Sequence, residues 1–125
     1  MMTADTRDAL LNEFALRCFR DVADGDYIAA RMAYRAEIHL QAYWASQQAL
    51  EKYLKAILLL RRIVQKSPTH SLTILLDKVE KTFPLKLAPE TRKFVKFIDE
   101  WNVDRYFIYP YGSMGVEIIQ LDWAV

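Results

Sequence analysis

From Tyr27 to about Lys66 the chain runs without a glycine or a proline. Within that stretch Ala36, Leu40, Tyr43, Gln47, Leu50, Leu54 and Ile57 recur at alternating steps of four and three, the spacing that holds one side of an α-helix against a partner. A strand has no use for that period, so the segment commits the chain to helix. Roughly forty helical residues at ~1.5 Å each would reach about 60 Å, well beyond the diameter of a globule of this length. A kink or break between Tyr34 and Tyr43 is therefore expected, or else an end that projects into a partner.

The remaining segments carry shorter helical signals. Leu11, Phe14, Cys18 and Val22, with Ala15 beside them, make one apolar stripe. That helix is expected to end at Asp24-Gly25-Asp26, with Gly25 in a left-handed conformation and Asp26 capping the next helix. Ser67-Pro68 reads as an N-cap followed by a proline at the first helical position. The stripe Leu72, Leu75, Leu76, Val79, Phe83 follows, and Pro84 stops it. Pro89 opens a further helix with the stripe Phe94, Phe97, Ile98, Trp101. Only three glycines and four prolines punctuate the 125 residues, too few turns for many short strands. The expectation is one all-α domain over residues 1–125, an antiparallel up-and-down bundle of four to five helices.

The tail VEIIQLDWAV, Val116 to Val125, nearly alternates as a strand would, while Ile118, Leu121 and Val125 also fit a helix. A lone strand in a bundle leaves its backbone groups unpaired, so a fifth helix is expected. The apolar pattern is still running at the last residue, which suggests a truncated chain or a tail completed by another molecule.

Charge and composition exclude several classes. A formal net charge of +1, from 17 basic and 16 acidic residues, gives no general attraction to nucleic acid or to an anionic membrane, so any anion site must be local. The single cysteine, Cys18, cannot form an intrachain disulfide and lies on an apolar stripe, where it reads as core rather than nucleophile. There is no leader-like N-terminus and no apolar run long enough for a membrane span. A cytoplasmic setting without membrane association is expected.

Three groups of residues could carry chemistry. In YWASQQALEKYLKAILLL, Gln47 takes a seam position where an aliphatic residue is expected, and Gln48, Glu51, Lys52 and Lys55 form a band beside it. They either line a groove for a ligand or serve structure, Glu51 and Lys55 as a solvent-exposed i, i+4 ion pair and Gln47 as an inter-helix hydrogen bonder. Arg105 follows Ile98 and Trp101 at steps of seven and four, which aims it along the core-facing stripe if the helix continues. There it needs a carboxylate, a carbonyl or a ligand phosphate, which a guanidinium grips through two parallel hydrogen bonds. Tyr106, Phe107, Tyr109 and Tyr111 could stack on a base or simply close the end of the bundle. His70 falls in the first turn after Ser67-Pro68, where it either packs on a neighbouring helix or supports the cap. With His39 as its only companion, no metal-ligand spacing exists, and no glycine-rich phosphate loop or other cofactor motif is present.

SQQALEKYLKAILL (Ser46–Leu59), then THSL (Thr69–Leu72), then DRYFIYP (Asp104–Pro110) resemble, in order and spacing, the HEPN domain over roughly residues 10–125. The resemblance implies an all-α, usually dimeric bundle. It also implies association with a minimal nucleotidyltransferase encoded as a separate chain, or kinship with nucleotide-binding and RNA-cleaving relatives. On that resemblance Gln48, Glu51, Lys52 and Lys55 match the signature of the second helix. His70 matches its loop-helix histidine, and Arg105 matches the arginine that opens its functional motif. Ribonuclease members place a histidine four to six residues beyond that arginine, and here Pro110, Tyr111 and Gly112 stand in that window. The proton-handling group for a ribose 2′-hydroxyl is thus missing, and a tyrosine, with an ordinary pKa of about 10, replaces it poorly. The expectation is a non-catalytic module that binds a nucleotide or a nucleotidyl-transfer substrate through Arg105, Tyr106, Tyr109, Tyr111, Lys55, Glu51, Gln48 and His70. A ribonuclease toxin of a toxin–antitoxin pair, using Arg105 with His70 or His39, and a dimerisation scaffold are the alternatives.

Overall fold

The computed structural model describes residues 2–63, 69–83, 87–103 and 121–125. Every regular element among them is helical. In chain order they are α1 (Ala4–Phe14), a π-helical segment (Ala15–Arg20), α2 (Asp21–Arg35), α3 (His39–Leu60), α4 (Leu72–Thr82) and α5 (Pro89–Val103). Leu121 to Ala124 add one helical turn. This is the all-α bundle expected from the sequence.

The long uninterrupted stretch does break where its length demands it. α2 ends with Ala36 as its C-cap, Glu37 takes φ 60°, and α3 begins at His39. The amide of Ile38 donates to the Ala33 carbonyl (2.8 Å) and that of Glu37 to the Tyr34 carbonyl (3.0 Å). This paired closure satisfies the orphan carbonyls of a helix end. α3 ends in the same way, with Arg62 at φ 56° and its amide on the Leu59 carbonyl. Both left-handed positions carry side chains where glycine is usual, which is why no punctuation showed in the sequence.

The expected turn at Asp24-Gly25-Asp26 does not exist: α1, the π-helical segment and α2 form one continuous helical rod through it. Gly25 lies inside α2 without a positive φ. The flanking aspartates do not cap a helix; Asp24 accepts from the Tyr53 hydroxyl and Asp26 from Lys52, both on α3. These ties across to α3 hold the helix against it at a residue that would otherwise favour a stop.

The buried stripe of the rod also differs from the expected one. Ala15, Ala23 and Ala30 are fully buried, whereas Phe14, Val22 and Cys18 are exposed. α2 packs most extensively on α3, whose inner face carries the buried Ala42, Ala45, Ala49 and Ala56. Small residues on both partners let the helix axes approach closely, so the larger apolar residues of the rod are turned outward.

On the other side of α3, the helices α4 and α5 pack on it and on each other. Leu72, Leu75 and Leu76 join Phe94, Val95, Ile98 and Trp101 with Leu50, Leu54 and Leu58 in the core, as their stripes required. Phe97 stays half-exposed at the edge, its ring meeting Tyr43 edge to face. The C-terminal turn closes the bundle. Leu121 is fully buried in the same core, and Asp122 accepts from the Tyr27 hydroxyl (2.8 Å) and from Arg31 of α2. The expected tail helix is therefore present over Leu121–Ala124, and residues 116–120 lie outside the described ones. Among the described residues no helix is long and apolar enough to cross a membrane.

Candidate functional site

Glu51 sits in the middle of α3 on the face that meets the start of α4. Its side chain is only 8% exposed, yet its two oxygens have three partners. The His70 Nδ1 lies 3.2 Å from both of them, Lys55 Nζ 3.1 Å from Oε2, and Gln47 Nε2 3.0 Å from Oε1. A buried carboxylate without such partners would cost several kcal/mol, so this hub explains why Gln47 occupies a seam position. Gln48 extends the chain of donors through its Nε2 to Gln47 Oε1 (2.7 Å). The Glu51–Lys55 pair is therefore not the solvent-exposed surface pair allowed for in the sequence; it is the buried anchor of a network.

A carboxylate can only accept, so the His70 nitrogen facing Glu51 carries the hydrogen, leaving Nε2 as the ring's other nitrogen. The His70 side chain is 78% exposed. A buried acid thus holds a solvent-facing imidazole by one edge, an arrangement that can accept a proton from a bound group or donate to an anion.

His70 owes its place to the start of α4, which differs from the expected one. Ser71, not Ser67, is the N-cap: its hydroxyl accepts from the Ile74 amide, and helix begins at Leu72. His70 consequently precedes the cap instead of lying in the first turn, and its carbonyl accepts from Gln47 Nε2 (3.4 Å). Ser67 and Pro68 lie outside the described residues. The third position after Ser71 is Ile74, which cannot supply the reciprocal acceptor of a capping box. The Ser71 amide donates instead to Thr69 Oγ1 (3.1 Å), and α5 supplies the acceptor for the Ser71 hydroxyl and the next two residues. Asp99 accepts from the Ser71 hydroxyl (2.9 Å), the Leu72 amide (2.9 Å), and the Thr73 amide and hydroxyl (3.2 and 2.8 Å). Sequence reasoning missed Asp99, because an acceptor on another helix leaves no local signal at the start of α4.

Of the candidate residues, then, Gln47, Gln48, Glu51, Lys55 and His70 are brought together. Lys52 is turned to Asp26 on α2 and takes no part. His39, in the first turn of α3, has a buried Nδ1 without a hydrogen-bond partner among the described residues. Arg105, Tyr106, Phe107, Tyr109 and Tyr111 lie outside the described residues; Trp101, four residues before Arg105, is buried against Tyr43, its indole N–H without a partner among the described residues. Among the described residues no three His, Cys, Asp or Glu side chains are grouped as a metal site would need.

Comparison with known proteins gives one match. A family model described as HEPN domain matches residues 17–116. No curated protein and no solved structure matches the chain.

Proposed function

The chain belongs to the HEPN domain family, and on that footing we propose that it is a non-catalytic helical module that binds a nucleotide or a nucleotidyl-transfer substrate. The observation that carries this proposal is the buried Glu51 carboxylate holding His70 and Lys55 at the junction of α3 and α4. It fixes an exposed imidazole, a donor in its protonated form, and a partly exposed ammonium at one place, a set suited to phosphate oxygens. Arg105, which follows α5, would grip the phosphate in bidentate fashion, and Tyr106, Tyr109 and Tyr111 would contact the base. The partner of such a module would be a separately encoded minimal nucleotidyltransferase.

Support for a homodimer comes from the rod, where Val22, Ile28 and Met32 are exposed. Sedimentation at micromolar concentration tests that part, and a monomer there removes it.

Isothermal calorimetry with ATP, GTP and other nucleotides tests the binding proposal. Heat that disappears in Arg105→Glu while the helical circular dichroism persists supports it; no heat with any nucleotide, with or without the partner, refutes it.

One observation favours a second reading, ribonuclease activity. The carboxylate-held His70 has the geometry of a general base, the group that Pro110, Tyr111 and Gly112 fail to supply. Cleavage of RNA by the purified, metal-free chain that is lost in His70→Ala would establish it in place of the first.

A further inference from the structure

A cavity of about 570 Å³ opens between α1 and the C-terminal end of α3. Its volume falls in the range of small-ligand sites, which are mostly apolar with a few polar groups that fix orientation. Leu11, Phe14, Phe19 and Leu58 supply the apolar walls. The Phe14 and Phe19 rings meet edge to face with centroids 5.6 Å apart, and Phe14 remains half-exposed, so one aromatic face is open to a planar group.

Cations outnumber acids around it. Arg7, Lys55 and Arg62 line the cavity against the single carboxylate of Asp8. Arg62 is held in place: it donates to the Leu59 carbonyl (2.9 Å), the Asp8 carbonyl (3.0 Å) and Asn12 Oδ1 (2.9 Å), and pairs with the Asp8 carboxylate. The Arg7 guanidinium, by contrast, has no side-chain partner among the described residues. The cavity therefore presents an uncommitted guanidinium, an aromatic face and a net positive rim.

Lys55 belongs to two places at once. Its stem lines this cavity, and its ammonium is bound to Glu51 Oε2 beside His70. A ligand that met both the Glu51–His70 cluster and the cavity would cross Lys55, and a mononucleotide seated at the cluster leaves the cavity unfilled.

We propose that the cavity takes a second nucleoside unit, so that the natural ligand is a dinucleotide or a longer single strand. The base of that unit lies on Phe14 and its phosphate meets Arg7, with Lys55 between the two units. This rests on the nucleotide-binding reading above and adds to it the length of the ligand and the place of its second unit.

The test compares AMP with the 5′-phosphorylated dinucleotide pApA, which carries one phosphate per nucleoside, by calorimetry on the full chain and on Arg7→Glu and Phe14→Ala, both exposed positions, with circular dichroism checking that each variant stays helical. In the unaltered chain pApA is expected to bind about tenfold or more tightly than AMP, and both variants are expected to lose that gain while keeping AMP affinity. Equal affinity for AMP and pApA overturns the second unit and leaves nucleotide binding standing. A length gain that survives in Phe14→Ala also overturns it, because a surface cation would then act without the cavity. No heat from either ligand removes both proposals together.

Discussion

His70 Nδ1 lies 3.2 Å from each oxygen of Glu51, and the two residues differ tenfold in exposure, 78% against 8% for the side chains. The buried partner bears the structural burden and the exposed one is free to meet a ligand. Glu51→Ala is therefore expected to lower unfolding free energy by about 1–3 kcal/mol, since it strands Gln47 and Lys55 in a half-buried network. His70→Ala should cost less than about 1 kcal/mol. Urea denaturation of the two variants checks the difference; equal losses would mean that His70 is a structural residue.

The cap that positions His70 can be tested by itself. Asp99→Ala removes four hydrogen bonds from the start of α4 and is expected to cost about 1–2 kcal/mol. Amide exchange should accelerate first at Leu72 and Thr73, whose N–H groups Asp99 receives, and little in α1.

Gly25 lies mid-helix, and a Cβ there would meet nothing within 4 Å. Gly25→Ala should accordingly stabilise the fold by about 0.5–1 kcal/mol, mostly by restricting the unfolded chain. A loss of stability would mean that the rod bends at Gly25.

Stability should fall at both ends of the pH scale through the ties between α2 and its neighbours. Burial alone would raise the Asp122 carboxyl, but hydrogen bonds from Arg31 and Tyr27 outweigh it and hold its pKa below the ordinary value. A depressed folded pKa contributes stability above about pH 4 that is lost as pH falls through the folded value. Tyr53 is raised by burial and then by its hydrogen bond to Asp24, and Tyr27 by burial and then by Asp122. A raised pKa contributes stability below about pH 10, lost as pH rises toward the folded value. Chemical denaturation across pH checks both limbs: Asp122→Asn should flatten the acid one, and Tyr27→Phe with Tyr53→Phe the alkaline one.

How far the fold could be read ahead of the structure follows from which signals are local. The leucine and phenylalanine stripes of α4 and α5 marked their buried faces because large apolar residues at helical spacing leave little choice. The break near Glu37 followed from length alone. The rod was misread because its contact face is alanine: Ala15, Ala23 and Ala30 carry little hydrophobic signal, and the brighter residues Phe14 and Val22 point outward. Asp24-Gly25-Asp26 mimicked a turn because the partners of its aspartates, Lys52 and Tyr53, lie more than twenty-five residues along the chain. At the site, Gln47, Glu51 and Lys55 were recognisable by their spacing on one helix. Their union with His70 depends on Asp99, from a third helix, which no local pattern reveals.

The measurement that bears most directly on the nucleotide-binding account is a histidine-observed NMR titration of the full chain with ATP and with pApA. His70 is expected to shift with either ligand in step with the calorimetric binding curve, while His39, in the first turn of α3 and twelve residues before Glu51, stays unmoved. Saturating binding that leaves the His70 ring signals in place would contradict the account, because the ligand would then be held somewhere other than the Glu51 cluster.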